Sequence, residues 1–114
     1  GAAPTGAPDT GFVIENASGN RTISITVTAE NSWLVATHIS ADVNPTAVVN
    51  GVSRSADFDM SDIADSNAGV SSGAQTIGYT WGDVDRHTIL GLAFAPAADA
   101  AVVSRPIWFP PFFF

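Results

Sequence analysis

Residues 22–28, Thr-Ile-Ser-Ile-Thr-Val-Thr, alternate without exception. Ile23, Ile25 and Val27 fall on one side of an extended chain, and Thr22, Ser24, Thr26 and Thr28 on the other. A period of two belongs to a strand with one apolar face and one face of hydroxyls turned to water. No segment of the 114 residues carries apolar side chains at helical spacing over a useful length. The chain must therefore build its core from strands.

Further strand signals follow at intervals of about ten residues, a spacing typical of all-β domains. Phe12, Val13 and Ile14 predict a short strand, closed by turn residues at 16–20, Asn-Ala-Ser-Gly-Asn. Residues 33–40, WLVATHIS, are apolar on both sides of the alternation, as a central strand is. Residues 46–49 run into Asn50-Gly51, a strong hairpin pair, and the segment after it reads as the return strand. Residues 61–73 read as a long polar loop with a helical turn at 61–66. Residues 75–81, QTIGYTW, alternate again, and Gly82-Asp83-Val84-Asp85 reads as a turn. Residues 86–95, RHTILGLAFA, form the most apolar strand, which Pro96 ends. Residues 100–104 predict a last strand. The expected fold is all-β, an antiparallel β-sandwich of seven to eight short strands, Ig-like or jelly-roll-like, with a small barrel as the alternative. It occupies residues 11–104. An extended arm, 1–10, precedes it, and an aromatic, proline-rich tail, 105–114, follows.

The stretches WLVATHIS, PTAVVNGV, SGAQTIGYTW and HTILGLAFAPA together resemble the small immunoglobulin-like sandwich domains of bacterial secreted proteins and phage virion proteins. That resemblance implies surface display or particle assembly, with a location on a virion or an extracellular surface. No enzymatic activity follows from it.

Charge narrows the partners. Eleven acids oppose four arginines, for a net charge of -7, and lysine is absent. This balance argues against nucleic acid, whose phosphates require basic groups, and against anionic membranes. No apolar run is long enough for a transmembrane helix, and no signal peptide is visible. Cysteine is absent, so no disulfide or thiolate site forms. With only two histidines and no cysteine, zinc lacks its usual ligands, and no cofactor motif occurs. Asn16 and Asn20 each open a glycosylation acceptor triplet.

Four groups of residues are candidates for function. Asp57, Asp59, Asp62 and Asp65 offer carboxylates to calcium, but their spacing is not that of an EF-hand, and a solvated acidic surface accounts for them. His38 and His87 are strand histidines, and His87 lies near Asp83, Asp85 and Arg86, a pairing that could serve acid–base chemistry. No nucleophile motif accompanies it, so the expectation is a non-enzymatic protein. Trp33, Tyr79 and Trp81 could stack on sugars, as a carbohydrate-binding or adhesin module would, although strand aromatics are more often core.

The fourth group is the tail. Its last seven residues hold five aromatics. Trp108, Phe109, Phe112, Phe113 and Phe114, with Ile107 beside them, could bury roughly 750–1,250 Å² of ring surface. Pro106, Pro110 and Pro111 favour an extended ribbon over helix or central strand. Such a ribbon suits docking on a protein surface, in its own chain or another. The expected partners are further copies of the chain or other subunits of a particle, as for a capsid decoration or tail protein.

Overall fold

The computed structural model describes residues 8–55 and 60–97. These residues form six strands and no helix: β1 (Asp9–Val27), β2 (Trp33–Ser40), β3 (Ala47–Val49), β4 (Val52–Ser53), β5 (Ser61–Asp65) and β6 (Gly73–Phe94). Every pairing is antiparallel. The strands make one sheet in the order β1-β6-β2-β5-β4, with β3 added to β6. The protein is thus all-β and antiparallel, as the alternation predicts. The described strands are fewer and longer than the seven or eight short ones expected, and they share one sheet. The strand expected at 100–104 and both terminal extensions, 1–7 and 98–114, lie outside the described residues.

The strand count differs because two expected turns do not reverse the chain. Residues 16–20 lie inside β1 and residues 82–85 inside β6. The two strands pair along their whole length, from Asp9↔Ala93 to Val27↔Gly73. The register shifts once, between Ala17↔Asp85 and Gly19↔Trp81. There β6 carries more residues than β1, which is a bulge, and bulges bend strands. The turn residues serve this bend, and Gly19 sits at φ 80°, a conformation open to glycine. The polar stretch 61–73 likewise hides a strand. β5 alternates with Asp62 and Ala64 buried and Ser61 and Ile63 exposed.

The bend brings the two halves of the long ladder together across the core. Gly11 and Gly91, which are register partners, make the approach possible. A methyl group on Gly11 would fall 2.5 Å from the Ser24 carbonyl oxygen, and one on Gly91 would fall 2.3 Å from Ile23 Cδ1. Ile25, Ile77, Leu34 and Ile89 fill the space between the halves and are fully buried, each contributing roughly 1.5–3 kcal/mol. Asn50, at φ 60°, turns β3 into β4 as its Asn-Gly pair predicts, and its Nδ2 donates to Thr76 Oγ1 at 2.8 Å. The expected hairpin does not form, because β3 pairs with β6 and β4 with β5 instead of with each other; the turn links the far end of the strand row back to the first half of β6.

Gly11→Ala should destabilise the fold by about 1–3 kcal/mol, because backbone must move to admit the methyl. Gly82→Ala, with nothing within 4 Å of the new atom, should leave stability nearly unchanged. Urea denaturation of both variants checks the pair.

Candidate functional site

The pleat of the bent sheet decides what each half shows to solvent. In the half built from residues 19–27 of β1 and 73–81 of β6, Ile23, Ile25, Val27, Ile77, Tyr79 and Trp81 are core and the even positions other than Gly78 face out. Those outward positions include Thr22, Ser24, Thr26, Thr76 and Thr80, a hydroxyl-rich surface. Water satisfies such a face. The other half behaves differently, and it holds the candidate site.

In that second half four strands lie side by side, and directly paired residues share a face. One outward row runs Phe12, Leu90, Thr37, Ile63 across β1, β6, β2 and β5. The row on one side is Ile14, Thr88, Ile39, Ser61, and the row on the other is Thr10, Leu92, Val35, Asp65. Phe94 and Trp33 pair at the end. Phe12, Ile14 and Ile39 are each about two-thirds exposed, at 64, 64 and 65%. Ile63, Leu90, Trp33 and Phe94 are also open to solvent. Apart from Met60 and Val84, all the large exposed apolar residues of the described chain lie on this one face.

With strands about 4.8 Å apart and about 3.4 Å per residue, the patch measures roughly 19 by 20 Å, on the order of 400 Å². An apolar patch of that size on a monomer commonly marks an interaction site. Two grooves are cut into it. One, of about 220 Å³, is lined by Val35, Ala36, Thr37, Ile63, Leu90 and Leu92. The other, of about 210 Å³, lies toward the bend, between Ile14, Ile39, Ser40, Arg86, His87 and Thr88.

The opposite side of the same strands is a buried polar and aromatic cluster. Trp81 and His87 stand on either side of the bend and stack at 3.8 Å with an 11° tilt. Trp81 Nε1 donates to Ser40 Oγ at 3.1 Å and to the Val43 carbonyl at 3.0 Å. Ser40 Oγ lies 3.0 Å from His38 Nδ1. The edge of His38 meets the Tyr79 ring at 4.6 Å, and its Nε2 is buried with no hydrogen-bond partner. Burial holds the His38 pKa below its ordinary value. The charge of Asp62 pulls it up, and that of His87 pushes it further down. Burial also raises the Tyr79 phenol pKa, and the Asp62 charge adds to this. Asp85 would be raised by burial alone, but the backbone N–H groups of Asp42, Val43, Ala41 and Arg86 outweigh this and lower it. The N–H groups of Ala41 and Asp42 reach its carboxylate at 3.1 and 3.0 Å.

The residues predicted from sequence are placed as follows. His87 Nδ1 faces the backbone oxygen of Asp85 at 3.0 Å, and its Nε2 faces Glu15 Oε2 at 3.2 Å. Glu15 in turn receives a two-pronged bond from Arg21, each arm 2.7 Å, which holds its carboxyl below the usual range. His87 therefore pairs with Glu15, which is 72 residues away in sequence, and not with a neighbouring aspartate side chain. His87 is buried, only 2% exposed, while the Glu15 side chain is 20% exposed.

Asp57 and Asp59 lie outside the described residues. Asp62 points into the core and accepts from Ser53 Oγ at 3.0 Å and the Ile63 N–H at 2.8 Å. Asp65 points outward and takes both arms of Arg54, at 2.7 and 2.8 Å. The two carboxylates leave opposite faces of β5 and do not converge. Among the described residues no group of three or more acids, histidines or cysteines could hold a metal ion. Tyr79 and Trp81 are core residues, at 0 and 1% exposure, while Trp33 is 43% exposed on the outer face. The three make no common platform, because Tyr79 and Trp81 give their ring faces to each other and to the two histidines. Ile107, Trp108, Phe109, Phe112, Phe113 and Phe114 lie outside the described residues.

The outer face itself is the feature that motif reading missed. Its signal was the presence of apolar residues at both parities in 33–40 and 88–94.

His38 supplies a pH dependence. Its folded pKa lies below the ordinary 6.5, so as pH falls the unfolded chain takes up this proton first. Stability from this group is whole above about pH 6.5 and is lost below it, down to the folded pKa. Urea midpoints measured from about pH 7.5 down to about pH 5 should fall. His38→Phe, which keeps a ring in place, should flatten that slope. No protein family, curated protein or solved structure matches this chain.

Proposed function

We propose that this protein is a non-enzymatic structural subunit that assembles with further copies of itself through the outer face of β1, β6, β2 and β5. The carrying observation is the apolar surface centred on Phe12, Leu90 and Ile63. A solvated sheet alternates apolar-in and polar-out, and the first half of this one does. The second half carries large apolar side chains on its outward side, among them Phe12, Ile14, Ile39, Ile63 and Leu90, as a strand face that is covered does. About nine of the fourteen outward residues of this footprint are apolar, so covering it removes on the order of 250 Å² of apolar surface from water, worth about 6 kcal/mol by area before the costs of association. The net charge of -7 keeps such a chain soluble before it assembles.

Sandwich-type subunits of virions and extracellular assemblies fit this description, in line with the resemblance of the strand segments. The finer description of the domain as an Ig-like or jelly-roll-like sandwich belongs to this proposal. The bent sheet supports it by packing its two halves face to face.

The test is solution mass by light scattering across a wide concentration range. The wild-type chain should self-associate. Leu90→Ser combined with Ile63→Ser should stay folded, since both side chains are already about half exposed, and should remain monomeric. A wild-type chain that is monomeric throughout would overturn the reading.

A further inference from the structure

We propose that the seat of the aromatic segment 107–114 is the outer apolar face of a second copy of this chain. This rests on the assembly reading above and names the contact that makes it.

Groove size is the first ground. An apolar space of about 150 Å³ accommodates a benzene ring, and the two grooves measure about 220 and 210 Å³. Each takes one aromatic side chain. The first is lined by apolar side chains and by Thr37, whose hydroxyl donates to the Asp62 carbonyl at 2.7 Å. The second has Ser40, Arg86 and Thr88 on its rim, which suits the indole of Trp108 with its single N–H donor.

Length is the second. The groove centres lie about four residues apart along β6, roughly 14 Å. An extended proline-rich ribbon rises about 3.1 Å per residue. Trp108 to Phe112, or Phe109 to Phe113, therefore spans about 12 Å, and residues 107–114 span about 25 Å, against roughly 20 Å of face from Thr88 to Phe94. Prolines at 106, 110 and 111 remove three N–H groups from the segment, which favours docking by side chains on a face over pairing by backbone along an edge.

The choice of a second copy rests on the exit from β6 and on area. β6 ends at Phe94, at one end of the face, and Pro96 favours an extended Ala95, a direction that leads off the patch along the strand. Residues 97–107 reach up to about 33 Å, beyond the length of the face they have just left. Exchange between two copies seats two segments, each covering about 400 Å² of face and losing a comparable area of its own, roughly 1,600 Å² in all. That meets the ~1,600 Å² of a standard stable interface, and the exchange closes with two-fold symmetry. The face alone, at about 400 Å² per copy, falls short.

The absence of cysteine makes a direct test available in the full chain. Thr88→Cys lies on the rim of the second groove, and Pro110→Cys lies between the rings in sequence. The two single variants, mixed and oxidised mildly, should give a disulfide-linked heterodimer. The double variant should give linked dimers. Adding Leu90→Ser and Ile63→Ser should cut heterodimer yield at least about tenfold, with circular dichroism confirming that the fold persists. An intrachain bridge in the double variant overturns the proposal, because the segment then covers its own face. No bridge in a chain that still oligomerises overturns it while sparing the assembly reading. No bridge in a chain that stays monomeric overturns both.

Discussion

The bend in the β1–β6 ladder is the constraint on which the rest of the structure depends. Two long strands paired from end to end would make a flat ribbon with no interior. The bulge at residues 17–19 and 81–85 folds the ribbon, so that one sheet supplies both walls of its own core. The stack of Trp81 on His87 sits astride the bend. Asp85, at the bend, anchors the chain where it leaves β2 by accepting the N–H groups of Ala41 and Asp42. Gly11 and Gly91 keep the walls close because neither carries a side chain to hold them apart.

From this one device come two unlike surfaces. Each wall has an inner face in the core and an outer face. The outer face of one wall is threonine and serine, whose hydroxyls water satisfies. The outer face of the other is Phe12, Ile14, Ile39, Ile63, Leu90 and their neighbours, which water does not. An isolated chain keeps that surface wet at a free-energy cost proportional to its area. The histidines, which first invite a catalytic reading, sit between the walls. There they serve the packing of Trp81 and Tyr79, and His38 is kept neutral by its surroundings.

Much of this was legible in particular residues. The alternation of 22–28 predicted the buried and exposed sides of that strand correctly. The double-sided apolar character of 33–40 marked β2 as central, and it lies between β6 and β5. Asn50-Gly51 turned where expected, but the strands it joins pair with β6 and β5 and not as a hairpin. The readings that failed share a cause. Asn16–Asn20 and Gly82–Asp85 have the composition of turns, and local composition cannot tell a reversal from a bulge, since both use glycine and short polar side chains. Residues 61–65 looked like loop because Ser61, Asp62 and Asp65 are polar. Asp62 is buried nevertheless, because the Ser53 hydroxyl and the Ile63 N–H satisfy it.

The sequence by itself determined the strand class, the apolar alternation and the surplus of apolar residues in 33–40 and 88–94, because these depend only on the order of side chains along an extended backbone. Only the tertiary structure decided that the surplus forms one continuous surface with two ring-sized grooves, and that His87 meets Glu15 instead of a neighbouring aspartate. Those outcomes depend on register between strands far apart in the chain and on the direction of one bend. A one-residue slip in either would have turned the same side chains to the opposite face.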